Sequence, residues 1–264
     1  MKEISYAINK TKYFLLDMDG TVYVDDAPIG DVKNTLQYLR SRGKKIVYLT
    51  NNSSRSKLRY EDKLKALGLY STEDIIYTSG MATAAFVAEN YRGKKVCLLG
   101  TDALAEEFSS AGIVLDDDNP DLCVLGYDTQ LTYEKLRRFT VNLRKGLPYI
   151  ASHPDVNCPS KDGLIPDAGA FMEMIFASTG RRPQTIVGKP YETMGETLVK
   201  RFNASRDEFM MIGDRLNTDI QFGLNCKFWT TLVLSGETTM AMADKSTTKP
   251  DFILEDINRL VDKF

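Results

Sequence analysis

Apolar residues in this chain gather in short, β-branched bursts, and between the bursts they recur every three or four positions. The bursts are YFLLD (13–17), KIVYLT (45–50), DIIYTS (74–79), KVCLLG (95–100), LCVLGYD (122–128), PYIAS (148–152), TIVG (185–188), FMMIGD (209–214), WTTLVLS (229–235) and FIL (252–254). Each is the length of a strand, and the intervening segments carry helical periodicity, so the chain reads as repeated βαβ units on a parallel sheet, an α/β fold. Two helices are clearly punctuated. Asp31 stands where a cap is needed, Val32, Leu36 and Leu39 share one face, and Gly43 offers the stop. Thr132 begins a second, in which Leu136, Phe139 and Leu143 align before Gly146.

The strand ends carry the chemistry. Four of them finish on, or next to, a residue able to handle phosphate or metal: Asp17, Thr50, Lys189 and Asp214. Ligands of open α/β sheets bind at the carboxyl ends of the strands, so residues far apart in sequence are expected to meet there. Residues 51–185 separate two of these ends and hold a second series of α/β elements from about Gly80 onward. That is too long and too regular for a crossover, so 1–80 with 186–264 are expected to form one domain and 81–185 an inserted one.

The motifs DMDGT (17–21), TNNS (50–53), GKP (188–190) and GDRLNTDI (213–220) stand in the order of the four motifs of the haloacid dehalogenase superfamily, which the whole chain resembles. The insert between the second and third motifs, and SHPDVNCPSKDGLIPDAGA (152–170) leading toward GKP, resemble its subfamily IIA, the branch of NagD-like and 4-nitrophenylphosphatase-like enzymes. The resemblance implies a Rossmann-like, doubly wound parallel core with an α/β cap of the C2 type. It also implies Mg2+-dependent hydrolysis of phosphate monoesters through an aspartyl-phosphate.

By the same resemblance Asp17 is the nucleophile, and the metal is held by Asp17, the backbone carbonyl of Asp19 and Asp214, with Asp219 supporting from behind. Asp19 is the general acid and base. Dehalogenase members of the superfamily lack that second aspartate, so cleavage of a carbon–halogen bond is not expected. Thr50, Asn51 and Lys189 hold the phosphoryl group, and His153, Asp155 and Asn157 contact the leaving group. Physical chemistry agrees with such a set. A carboxylate meeting a phosphate dianion faces repulsion of about 4 kcal/mol per unit-charge pair near 4 Å at an effective dielectric near 20, so positive charge must be supplied first. Asp19, close to other carboxylates, is expected to favour its protonated form. Asn217 stands where many relatives have aspartate, which argues against a metal role for that position and leaves Asp214 and Asp219 in place.

Rival readings fail on spacing. DMDGT lacks the sixth-position glycine and twelfth-position glutamate of an EF-hand loop, and GKP lacks the preceding glycine and following hydroxyl of a Walker loop. His153, the single histidine, has no GxSxG partner. DDDNPD (116–121) reads as a solvated turn.

With 34 basic and 36 acidic residues the formal net charge is -2, which offers no field to attract nucleic acid. No apolar run approaches a membrane span and the first residues hold no signal core, so a cytoplasmic location is expected. Cys97, Cys123, Cys158 and Cys226 are widely spaced, consistent with small core residues in a reducing compartment. The expected partner is a small phosphorylated metabolite, with a second copy of the chain bound through the cap as a further expectation. A mutase or other phosphotransferase, and a non-catalytic phosphometabolite-binding protein, are the alternatives.

Overall fold

In the computed structural model, which describes residues 3–160 and 162–264, all ten apolar bursts form strands. They are β1 (Tyr13–Leu16), β2 (Lys45–Thr50), β3 (Ile75–Thr78), β4 (Val96–Leu99), β5 (Leu122–Leu125), β6 (Tyr149–Ala151), β7 (Thr185–Ile186), β8 (Phe209–Gly213), β9 (Trp229–Val233) and β10 (Phe252–Leu254). The chain divides into two compact units. One contains the chain up to Thr50, Lys57–Tyr77 and Lys189–Phe264; the other contains Asn51–Ser56 and Thr78–Gly188.

The first unit is built on a six-stranded sheet of order β10-β9-β8-β1-β2-β3. β1 runs parallel to β8 and β2, with Leu16 level with Ile212 on one side and Tyr48 on the other. This register brings the residues after β1 and β8 to one edge, together with the end of β2. β1 is apolar throughout because both faces of the sheet are covered. Phe14 and Leu16 join Ile46, Met210 and Ile212 in one cluster with Val32, Leu36 and Leu39 of the helix Val32–Ser41, and Leu15 is equally buried on the opposite face. Burying side chains of this size contributes about 1.5–3 kcal/mol each, which fixes the strand whose tip carries Asp17.

The second unit holds a four-stranded parallel sheet, β7-β6-β5-β4, packed by Phe139, Leu143, Met172 and Ile175. Thr132 caps the helix Tyr133–Arg144 as expected, its hydroxyl accepting from the Lys135 amide. β7 explains why this unit extends to Gly188. Beyond the two residues that pair with β6, Val187 and Gly188 donate their amides to Ala151 and Ser152. Asn51–Ser56 belongs here for a similar reason. Asn51 Nδ2 donates to Asp155, Ser53 Oγ accepts from the Tyr127 amide, and Thr101 Oγ1 donates to the carbonyl of Ser54.

One local expectation needs correction. Asp31 occupies the cap position, but its carboxylate accepts from the Asn34 side chain instead of the helix amides. The 116–121 segment is a solvated turn as expected, with Asp116 and Asp117 pairing at the surface with Lys95 and Arg138. Two hairpins were not anticipated, Tyr23–Val24 with Ala27–Pro28 and Asn157–Ser160 with Gly163–Pro166. Among the described residues no helix is long and apolar enough to cross a membrane.

One buried acid in the second unit has a measurable consequence. Both carboxylate oxygens of Glu107 are buried, and neither makes a well-formed hydrogen bond. Burial lifts its carboxyl to about 7 against the weaker pull of the Thr78 hydroxyl. An acid raised in the folded state favours folding fully below its unfolded value near 4.5, and that contribution is lost as pH rises toward 7. Glu107→Gln is therefore expected to match the parent in stability near pH 4.5. It should exceed the parent by up to about 3 kcal/mol at pH 8, in urea unfolding at both pH values. An equal difference at the two pH values would rule out the buried charge as its cause.

Candidate active site

Asp17 is the residue at which β1 stops. Its amide still donates to Ile212, 3.0 Å away, so the backbone is held in the sheet while the side chain projects past its edge. Lys189 Nζ lies 2.6 Å from Asp17 Oδ1 and 2.7 Å from Asp219 Oδ1, with the Leu49 carbonyl at 3.5 Å. A lysine that is only 2% exposed is rare unless paired, and here two carboxylates hold it. Burial pulls its ammonium down, but Asp17 and Asp219 outweigh that and keep it above its ordinary range, hence charged.

Asp214 follows β8. Its Oδ2 accepts from the Glu237 amide at 2.7 Å, while its Oδ1 is buried and has no hydrogen-bond partner. Both oxygens of Asp219 are committed, one to Lys189 and one to the Arg215 amide at 3.2 Å. Three glycines collar these acids. A Cβ at Gly20 or Gly236 would collide with the Asp214 carboxylate, and one at Gly213 with that of Asp219; Gly20 also has φ +78°, a conformation that favours glycine.

Asp17 and Asp214 are both raised. Burial, opposed by Lys189 and assisted by Asp219 and Asp214, lifts Asp17 to about 7. Burial and Asp219 lift Asp214 to about 6. A cluster that resists ionisation on its own, with one carboxylate oxygen left bare, is what a bound cation would relieve. Ligand atoms of Asp17, Asp214 and Asp219 all lie within 4.8 Å of one another, so the residues fit a divalent ion. Asp214, through its bare oxygen, and Asp17 are the side chains left to face it, since Asp219 is fully engaged.

Asp19 sits two residues beyond Asp17, the one exposed position in an otherwise buried loop (18–23), and is bridged to Tyr23, whose carbonyl accepts from the Gly20 amide. Its carboxyl is raised, first by burial and then by Asp25, against Lys63 and Arg215. The expected direction holds, but the carboxylate responsible is Asp25 and not Asp17. Lys63 itself stacks over the Tyr23 ring at 4.1 Å. Thr50 ends β2, the neighbour of β1, and Asn51 follows it as the first residue of the second unit.

The second unit places the other candidates differently. His153 is completely buried. Its Nε2 lies 2.8 Å from Asp167 Oδ1 and its Nδ1 lies 2.9 Å from Ser152 Oγ, with Ser79 Oγ at 3.3 Å. Ser79 in turn donates to the Asn51 carbonyl. His153, Asp155 and Asp167 also bring ligand-type atoms within 4.8 Å, but the His153–Asp167 bond and the Ala168 amide already use the atoms an ion would need. Asp155 is half-buried and Asn157 exposed. Sequence reading missed the loop Ser235–Glu237 after β9. The signal was present, a fifth strand ending on polar residues beside a glycine, and the strand-end rule applied to β9 would have found it.

Comparison with known proteins places this geometry in a class. A family model for haloacid dehalogenase-like hydrolases matches residues 14–114, and a second, described as HAD-hydrolase-like, matches residues 186–260. The chain belongs to the haloacid dehalogenase-like hydrolases. Its relatives include an acid sugar phosphatase of Staphylococcus saprophyticus, 33% identical over 251 residues that span 95% of this chain and 96% of the relative. Among solved structures, a 4-nitrophenylphosphatase from Thermotoga maritima superimposes with a TM-score of 0.92 at 41% identity, covering 97% of this chain and 98% of that one. A glycerol phosphate phosphatase from Mycobacterium tuberculosis, in complex with calcium, gives 0.89 at 27% identity, covering 96% and 76% respectively.

Proposed function

We propose that this chain is a Mg2+-dependent phosphatase that hydrolyses monoesters of small phosphorylated metabolites through an aspartyl-phosphate on Asp17. The observation that carries the reading is the meeting of Asp17, the charged and buried Lys189, and Asp214 with its bare oxygen. The names of the relatives point the same way, toward sugar phosphates, glycerol phosphate and aryl phosphates, to which we add nucleoside monophosphates.

In this reading Lys189 aligns the Asp17 carboxylate and balances phosphoryl charge. The Thr50 hydroxyl and Asn51 amide hold the remaining phosphoryl oxygens. Asp17 attacks phosphorus and the ester bond to the leaving oxygen breaks. Asp19, its carboxyl raised by burial and Asp25, donates its proton to that oxygen, then takes one from the water that cleaves the acyl phosphate. A divalent cation held by Asp17, Asp214 and the Asp19 carbonyl would supply positive charge against the repulsion between carboxylate and phosphate. Mg2+ suits so few protein ligands because it keeps several waters. Asp155 and Asn157 remain the candidates for contact with the leaving group, while the buried His153 supports the same turn from within.

The test is turnover of p-nitrophenyl phosphate. We expect it to fall by on the order of 100-fold or more in EDTA and to return with Mg2+. Undiminished activity in EDTA would remove the metal from the mechanism. Transfer of phosphate to an added alcohol in place of release would favour a phosphotransferase, and tight binding without turnover a sensor.

A further inference from the structure

The loop after β9 has no part in the chemistry above, yet three consecutive residues in it each reach a different piece of the site. Ser235 Oγ donates to the Gly20 carbonyl at 2.8 Å. Gly236 lies so near Asp214 that no side chain fits between them. Glu237 donates its amide to Asp214 Oδ2 at 2.7 Å and sets its carboxylate 3.0 Å from Arg215 Nε. Arg215 donates its own amide to Asp219 Oδ2.

These contacts close a circuit. Asp214 leads directly into Arg215; the Arg215 side chain engages Glu237; and the two backbone amides hold one oxygen each of Asp219 and Asp214. The Arg215 and Glu237 side chains are 33% and 59% exposed, and an ion pair so accessible contributes little to folding. Its geometric effect is larger. If the loop moved away, Oδ2 of Asp214 would lose its donor and the carboxylate would be free to turn. With the loop in place, Oδ2 is committed and Oδ1 alone is bare.

We infer that the Arg215–Glu237 pair is a positioning brace that fixes the Asp214 carboxylate in the one orientation that offers its Oδ1 to a divalent cation. Glu237 touches neither the ion nor the substrate; it acts through Asp214. The inference rests on the metal reading proposed above, and groups that orient a ligand from behind typically govern affinity by 10- to 100-fold.

The experiment is calorimetric titration of Mg2+ into the full chain, with melting temperature recorded in EDTA. Glu237→Ala is expected to weaken Mg2+ binding by about tenfold while leaving the melting temperature in EDTA unchanged. Glu237→Gln, which keeps an oxygen for Arg215, is expected to stay within about threefold of the parent. The Mg2+ concentration for half-maximal turnover should rise in Glu237→Ala, with kcat at saturating Mg2+ preserved. Three results would overturn the brace: affinity within twofold of the parent in Glu237→Ala, equal loss in Glu237→Gln and Glu237→Ala, or a fall in the melting temperature in EDTA that accounts for the weaker binding. A parent chain that binds no divalent ion would overturn the metal reading as well, which distinguishes the two failures.

Discussion

Asp17→Asn is expected to give a folded protein whose turnover of p-nitrophenyl phosphate is lower by roughly ten-thousandfold or more. The substitution keeps the size of the side chain and an oxygen for Lys189, whose ammonium retains Asp219 as its charged partner, so the fold is expected to survive with some loss of stability. What disappears is the nucleophilic carboxylate, and removal of a nucleophile typically costs several orders of magnitude because the remaining groups cannot replace it. The magnitude separates two mechanisms. If water attacked phosphorus directly and Asp17 only bound the ion, an asparagine oxygen would still coordinate and a sizeable fraction of the rate would survive. Steady-state kinetics of Asp17→Asn at saturating Mg2+ decides between them, and activity within tenfold of the parent would exclude the acyl phosphate.

Lys189→Met is expected to damage both activity and stability. The ammonium is buried between Asp17 and Asp219, and breaking such a pair leaves charges in a site with little water, at a typical cost of about 3–5 kcal/mol. Loss of one preorganised charge on the phosphoryl group should lower kcat by on the order of 100- to 1,000-fold. The pH dependence follows from Asp17, raised to about 7 even with Lys189 present. A raised acid favours the folded state while protonated and loses that contribution as pH rises through its folded value. Without Lys189 the carboxyl loses the partner that lowers it, so the stability deficit should be smaller at pH 5 than at pH 8. A deficit that is the same at both pH values, measured by thermal melting in EDTA, would show that packing and not charge accounts for it.

The central strands were legible because they are near-continuous apolar runs made for a place between two covered faces. β8 is buried at every one of its five positions, and nothing but a central strand or a buried helix needs FMMIG. The two unexpected hairpins have no such signature. Asn157–Ser160 and Gly163–Pro166 contain a proline each and are almost wholly exposed, so neither alternation nor hydrophobicity marks them. Tyr23–Val24 and Ala27–Pro28 are too short for any period to register.

The acids and the lysine were legible for a different reason: charge at the end of an apolar run requires an explanation, and four such ends in the right order have few. The hold on them was not. That Lys189 would take one Asp219 oxygen and the Arg215 amide the other, and that the Glu237 amide would hold one oxygen of Asp214 and leave its second bare, depends on placement and backbone donors that sequence composition does not describe. His153, expected against the leaving group, instead lies completely buried, its ring nitrogens beside Ser152 and Asp167 in a polar network that sequence composition does not describe.

The collar of Gly20, Gly213 and Gly236 limits how this pocket can be altered. On the faces these glycines cover, hydrogen atoms and not side chains meet the acids, so the usual means of reshaping a cavity, exchanging one wall residue for a larger one, has no starting point there. Any drift in which ester the protein accepts must be written into parts of the polypeptide that never touch phosphorus.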